Sequence, residues 1–213
     1  MIVKNQLLNV KCKMVQLAEF NKPGVNALLI IDAWPSGTID NKIIVDLYEE
    51  MIQRLRNLIR QLPTDFVIVV ASHEGHTHKN LLDALPYWRW GKMESDDPRV
   101  FVSNCRDTNE THIEQILAHL KRWNVDNVFY AGKSLPGCLL GRGVGLENLE
   151  GFNKSIIVDC VLRANSFSYT PIGTVYDSVW AAVKWANENN VDIAFSNQFN
   201  REVIGKLVES LYR

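Results

Sequence analysis

Apolar and polar positions fall in blocks along this chain, and the blocks have two distinct periods. Ala27-Leu28-Leu29-Ile30-Ile31 is an uninterrupted apolar run closed by Asp32, the pattern of a strand buried on both faces of a parallel sheet. Ile44, Leu47, Tyr48, Met51, Leu55, Leu58 and Ile59 then recur at helical spacing, which predicts a long amphipathic helix. Pro63 stops it. The alternation continues with strands predicted at Phe66–Ala71, Arg99–Ser103, Asn127–Ala131, Ser155–Asp159 and Val191–Phe195. Helical spacing returns over Ile113–Trp123, Val175–Ala186 and Gln198–Arg213. Residues 79–98 are irregular and aromatic, with Tyr87, Trp88 and Trp90.

A helix should also follow Gly137, although Gly141, Gly143 and Gly145 each lower its intrinsic propensity by about 1 kcal/mol. Glycines on alternate positions imply either close packing or a broken helix. Six strands alternating with helices predict an α/β fold: a three-layer α/β/α sandwich around a six-stranded, mainly parallel sheet, since right-handed crossovers place helices on both faces. No linker or repeat interrupts the pattern, so residues 1–213 read as one domain, with 1–24 as an N-terminal extension.

Composition narrows the classes of partner. A formal net charge of −1 over 213 residues gives no reason to expect nucleic acid or an anionic membrane. An apolar share of 46% with 22% charged residues is that of a water-soluble globular chain. No apolar run approaches the roughly 18 residues of a membrane span. Met1–Phe20 lacks the apolar core of a secretory leader. Cys12, Cys105, Cys138 and Cys160 are scattered, with no CxxC pair, which argues against a disulfide framework and for a reducing, cytoplasmic location.

Chemistry concentrates where strands end. In an open α/β sheet, ligands bind outside the carboxyl ends of the strands. Val128-Phe129-Tyr130-Ala131 ends in Gly132, and Cys138 follows where a helix should begin. A thiol at a helix N-terminus sits in a field that lowers its pKa and favours the nucleophilic thiolate. The bland alternative for Cys138 is a small buried hydrophobe. Asp32 emerges at the same sheet edge, either as a cap for the loop Trp34-Pro35-Ser36-Gly37 or as a general base for the thiol. Asp159 reads as a capping or packing carboxylate, and Cys12 and Cys160 as inert thiols. His112 and His119 fall in an amphipathic helix and read as surface residues.

Gly132-x5-Cys138 after an apolar strand, Asp32 closing the first strand, and six strand-helix units resemble the isochorismatase-like cysteine hydrolases, which include nicotinamidases, N-carbamoylsarcosine amidases and isochorismatases. The resemblance covers roughly residues 25–197. It implies Cys138 as a nucleophile toward a C–N, amide-type bond of a small molecule, and Asp32 as the base. It also implies backbone N–H groups near the Cys that hold the oxyanion. Ser134 and Gly137, in the loop before the Cys, and Trp34, His73 and Trp88 are candidate substrate-binding residues. A non-proline cis peptide common before the family Cys would fall at Lys133–Ser134. Relatives are commonly dimers or tetramers, so a homo-oligomer is expected.

One family feature is missing. A catalytic Lys is expected after the third strand, near Cys105, where Val102-Ser103-Asn104-Cys105-Arg106-Asp107 contains none. Arg106 could supply positive charge but not a proton; Lys133 could reach the same cleft. The chain is therefore either a hydrolase with a rearranged catalytic set or a catalytically silent binding or scaffold protein that keeps the pocket. A cation within range of Cys138 and Asp32 would separate the two.

The loop Ser72-His73-Glu74-Gly75-His76-Thr77-His78 sits where nicotinamidases carry metal ligands. Imidazoles of His73, His76 and His78 could converge on a divalent metal, or solvate a polar loop; otherwise no cofactor is expected. Tyr87, Trp88 and Trp90 could wall a pocket, form a subunit contact, or make a satellite core under a long loop.

Overall fold

The computed structural model describes residues 14–16, 24–33, 42–72, 79–103, 110–163 and 175–196. In chain order these form β1 (Met14–Gln16), β2 (Val25–Ile31), α1 (Lys42–Gln61), β3 (Val67–Ala71), α2 (Lys79–Leu82), β4 (Trp88–Arg89) and β5 (Glu94–Ser95). The second half comprises β6 (Val100–Ser103), α3 (Glu110–Arg122), β7 (Val125–Leu135), α4 (Gly137–Gly141), β8 (Asn153–Arg163), α5 (Val175–Asn189) and β9 (Asp192–Phe195).

All six expected strands join one sheet of order β1-β9-β8-β7-β2-β3-β6, and each neighbouring pair runs parallel. The seventh member is β1. It comes from the segment read as an extension, and it pairs with β9 at the sheet edge from Met14↔Ile193 to Gln16↔Phe195. From β2 the chain winds outward through β3 to β6, then returns to the other side of β2 with β7, β8 and β9. The order reverses between β2 and β7. Such a switch point opens a crevice at the carboxyl ends of the two strands, because their following connections leave toward opposite sides.

Strand residues alternate between two cores. Leu29, Ile31, Val69 and Tyr130 pack with buried residues of α3, α4 and α5. Leu28, Ile30, Val70 and Phe129 pack with Tyr48, Met51, Ile52 and Leu55 on the apolar stripe of α1. This double coverage explains why the strands read as continuous apolar runs. Each large side chain so buried contributes roughly 1.5–3 kcal/mol.

Residues 79–98 hold the short helix α2 and the antiparallel pair β4–β5, with Trp88 opposite Ser95. Trp88 packs against the α1-side core, edge-on to Trp90 at 6.0 Å between ring centroids. Tyr87 stays 75% exposed. Trp90 is likewise exposed, so of the three aromatics Trp88 alone joins the α1-side core and Tyr87 and Trp90 form a rim beside it.

The glycines after Cys138 do two things. The helix ends after five residues, at Gly141, and the chain beyond it packs tightly. A Cβ on Gly143 would lie 2.1 Å from Ile113 Cδ1, and one on Gly145 2.3 Å from the Leu140 carbonyl oxygen.

Candidate active site at the sheet switch point

β2 and β7 pair in register up to Ile31↔Gly132, so whatever follows each strand emerges side by side. Gly132 makes this approach possible. Its φ is +110°, and an added Cβ would sit 2.0 Å from the Ile31 carbonyl oxygen, a clash no side chain tolerates. Asp32 leaves β2 with φ +51°, a left-handed conformation that Asp adopts more readily than most residues. Its N–H donates to the Ala71 carbonyl at 2.9 Å, which ties the turn to the end of β3. The Asp32 side chain is fully buried.

Lys133 follows Gly132 and continues the face of β7 that carries Phe129 and Ala131. Its side chain is 1% exposed and its Nζ lies over the buried Tyr48 ring of α1, 4.9 Å from the centroid, a cation–π contact. Burial pushes the Lys133 ammonium down to about 8, against the opposing pull of Asp32 and Cys138, whose charges both reach it. Desolvation disfavours the charged form of an amine, while nearby anions restore part of it. The peptides Lys133–Ser134 and Leu135–Pro136 are cis, the first at the position the resemblance implies.

Cys138 is the second residue of α4 and half-buried. Its N–H donates to Ser134 Oγ at 3.4 Å, and Ser134 is itself buried. Because α4 is a single turn, it supplies little of the field expected of a long helix. The positive charge at the site comes from side chains instead.

The second of these is Arg142, which sequence reasoning missed. The chain leaves α4 there in an extended conformation, φ −62° and ψ 157°, and the guanidinium turns back under the sheet edge. Arg142 Nη2 bonds Asp32 Oδ1 at 2.6 Å, and Nη1 donates to the Ala71 carbonyl at 3.2 Å. Both side chains of this ion pair are buried, Asp32 at 0% and Arg142 at 5% exposure. A sequence signal existed: Gly141-Arg142-Gly143 sets a lone cation between helix-breaking residues in an otherwise apolar stretch.

The structure thus gathers Asp32, Lys133, Ser134, Gly137 and Cys138 at one sheet edge and adds Arg142. Trp88 lies on the β4–β5 hairpin, against the α1-side core. Trp34, His73, His76, His78 and Arg106 lie outside the described residues. Within those residues, no group of three or more His, Cys, Asp or Glu is placed to hold a metal.

Asp159 is a structural carboxylate. It accepts the Ser196 backbone N–H at 2.8 Å and the Ser196 hydroxyl, and burial raises its pKa. Cys160 is fully enclosed, and burial pushes its thiol well up, as an inert thiol requires. His119 departs from the surface reading: it is half-buried, stacks on Phe101 at 5.2 Å and has its pKa lowered by burial.

No family model matches the sequence, and no curated protein matches it significantly at the sequence level. Solved structures do match. A protein of Leishmania major provisionally named a MAR1 ribonuclease aligns with TM-score 0.52 at 12% identity, over 93% of this chain and 88% of that one. A hypothetical protein from Trypanosoma cruzi aligns with TM-score 0.50 at 12% identity, over 95% and 96% of the two chains. An isochorismatase-like hydrolase from Alkaliphilus metalliredigens aligns with TM-score 0.48 at 12% identity, over 87% and 98%. Likeness at such identity is one of fold. The α/β/α fold expected from the strand pattern is thus one that this chain shares with the Leishmania and Trypanosoma proteins. Among the described residues, no helix is long and apolar enough to cross a membrane.

Proposed function

We propose that this protein is a cysteine hydrolase that cleaves a C–N, amide-type bond of a small molecule, with Cys138 as nucleophile. One observation carries the reading: Lys133 is buried within electrostatic range of both Cys138 and Asp32. A nearby ammonium favours the thiolate over the thiol. This is the cation whose absence would have favoured a silent binding protein, and it comes from the strand before the Cys rather than from the third strand.

The mechanism follows from the charges. The Cys138 thiolate attacks the carbonyl carbon, and backbone N–H groups around the start of α4 stabilise the oxyanion. The tetrahedral adduct collapses as the leaving nitrogen takes a proton from the buried Asp32/Lys133 pair. Water then attacks the thioester, and the same pair accepts its proton. The buried ion pair Asp32–Arg142 keeps the site formed between turnovers. We further propose a cytoplasmic homo-oligomer that takes a small-molecule substrate without nucleic acid or membrane.

The test is incubation with a panel of small primary and secondary amides, followed by ammonia or amine release and intact-protein mass. The reading expects turnover with some member and an acyl adduct on Cys138, both lost in Cys138→Ser. Turnover retained by Cys138→Ser would overturn the thiol mechanism.

A further inference from the structure

The large apolar side chains left exposed are not scattered over the molecule. Of the five found among the described residues, Val45, Tyr87, Trp90, Met93 and Trp180, three fall within seven positions of one hairpin. Tyr87 is 75% exposed, Met93 46% and Trp90 40%. A clustered apolar patch marks an interaction surface, whereas single exposed apolar residues do not.

The hairpin holds these side chains outward at a conformational cost. Tyr87 and Met93 have φ of +49° and +55°, the left-handed region that bulky residues normally avoid. Strain of this kind persists only where the surroundings enforce it, and here they do. The Tyr87 carbonyl accepts the Asp96 N–H at 3.2 Å, and the Met93 N–H donates to the Arg89 carbonyl at 2.9 Å. Trp90 is braced as well: its Nε1 donates to Asp83 Oδ1 at 2.7 Å, and Lys79 Nζ lies 5.4 Å from its ring centroid. A face whose side chains are already ordered loses little entropy when it is covered.

Beside the patch lies a hollow. A cavity of about 430 Å³ is lined by Tyr87, Asp96, Asp97, Pro98 and Arg99, where about 150 Å³ suffices for benzene. Its wall is fixed from behind by α3. Trp123 Nε1 donates to the Pro98 carbonyl at 3.2 Å, and His119 Nε2 lies 3.3 Å from the Arg99 carbonyl. Exposed ring and hollow thus sit side by side on one face. A two-fold axis turns such a pair into two reciprocal contacts, each copy giving a ring and receiving one. Charge points the same way. Arg89–Asp96, Lys92–Glu94 and Arg99–Asp97 pair within the chain, so these six charges balance and give the face no single-sign field to repel its own copy.

We infer that the β4–β5 hairpin is the surface through which this protein pairs with a second copy of itself, Tyr87 of each copy entering the Pro98–Arg99 hollow of the other. The inference rests on the homo-oligomer reading, whose interface it specifies, and is independent of the hydrolase chemistry.

Sedimentation velocity of the full chain from about 0.1 to 100 µM, the range of weak to moderate dimers, tests it. Tyr87→Asn and Met93→Asn each remove an apolar side chain, and Asn accepts the left-handed backbone more readily than Tyr or Met, so neither change endangers the fold. Wild type should sediment as a dimer at the upper end, with a melting temperature that rises with protein concentration. Tyr87→Asn should raise the dimer dissociation constant about thirtyfold or more, the effect of losing a central aromatic anchor. An equimolar mixture of wild type and Tyr87→Asn should fall between the two, because the mixed dimer keeps one ring contact. Val45→Ala, on α1, should leave the constant within about threefold of wild type, as expected of a residue outside the contact. A dimer indifferent to both hairpin variants would overturn the inference and leave the oligomer to another surface. A wild type that stays monomeric throughout would overturn it together with the homo-oligomer reading, and open-ended growth with concentration would overturn the two-fold contact.

Discussion

Asp32 and Arg142 form a buried ion pair, Oδ1 to Nη2 at 2.6 Å, across 110 positions of sequence. Asp32 ends the central strand β2, whereas Arg142 follows the one-turn helix α4. The pair thus locks the loop bearing Cys138 onto the carboxyl edge of the sheet. Removing one partner strands the other charge in the interior. Arg142→Ala should therefore lower unfolding stability by about 3–5 kcal/mol. The paired substitution Asp32→Asn with Arg142→Gln should cost clearly less than the two single changes added together. Urea denaturation of wild type, Arg142→Ala, Asp32→Asn, Arg142→Gln and the double variant checks this, and strict additivity would mean the pair contributes no coupling.

Gly132 is the second point at which the site depends on the backbone. Ala there combines a φ of +110° with a Cβ 2.0 Å from the Ile31 carbonyl oxygen. Neither fault can be relieved by a side-chain rotation. Gly132→Ala should push β7 from β2 at the switch point, cost at least about 3 kcal/mol and remove Cys138 reactivity. Gly143→Ala should be far milder, because the atom it meets first is the movable Ile113 Cδ1. Thermal melts of the two variants should differ in this order.

How far the sequence revealed these features depends on range. The six interior strands were legible because burial on both faces leaves a continuous apolar run. β1 was not, since the three residues Met14-Val15-Gln16 carry no period of their own. They become a strand only against β9. Asp32 and Cys138 were legible from their positions at strand ends, and Lys133 from its place beside Gly132. Arg142 was hidden because its role depends on the chain turning out of α4 at Gly141. Nothing local says that a guanidinium 110 residues from Asp32 will fold back upon it. Residues 79–98 read as irregular because α2, β4 and β5 span only four, two and two residues, too short to show a period.

Tyr130 offers a smaller test of the layer behind the site. Its hydroxyl donates to the Val144 carbonyl at 3.1 Å, fastening the segment after Arg142 to β7 in a fully buried setting. Burial also raises the phenol's pKa far above its usual range, so it stays a donor at any practical pH. Tyr130→Phe leaves the Val144 carbonyl without this donor and should cost about 1–3 kcal/mol. An unchanged urea midpoint would show that Val144 finds another donor.

The buried amine should also leave a mark on stability against pH. Lys133 titrates near 8 in the folded chain, against 10.5 for an ordinary Lys. Between those values the unfolded chain binds more protons than the folded one, so this group makes stability rise as pH rises. Its contribution is complete above the unfolded value and is lost as pH falls through the folded one. The difference of two to three pH units corresponds to about 3 kcal/mol. Lys133→Met removes the titration. In a Cys138→Ser background, where the thiol does not titrate over the same range, unfolding free energy should climb from pH 7.5 to 10 by about 3 kcal/mol more with Lys133 present than with Met in its place. Parallel pH curves for the two proteins would show that the Lys133 amine is not held out of water in the folded state.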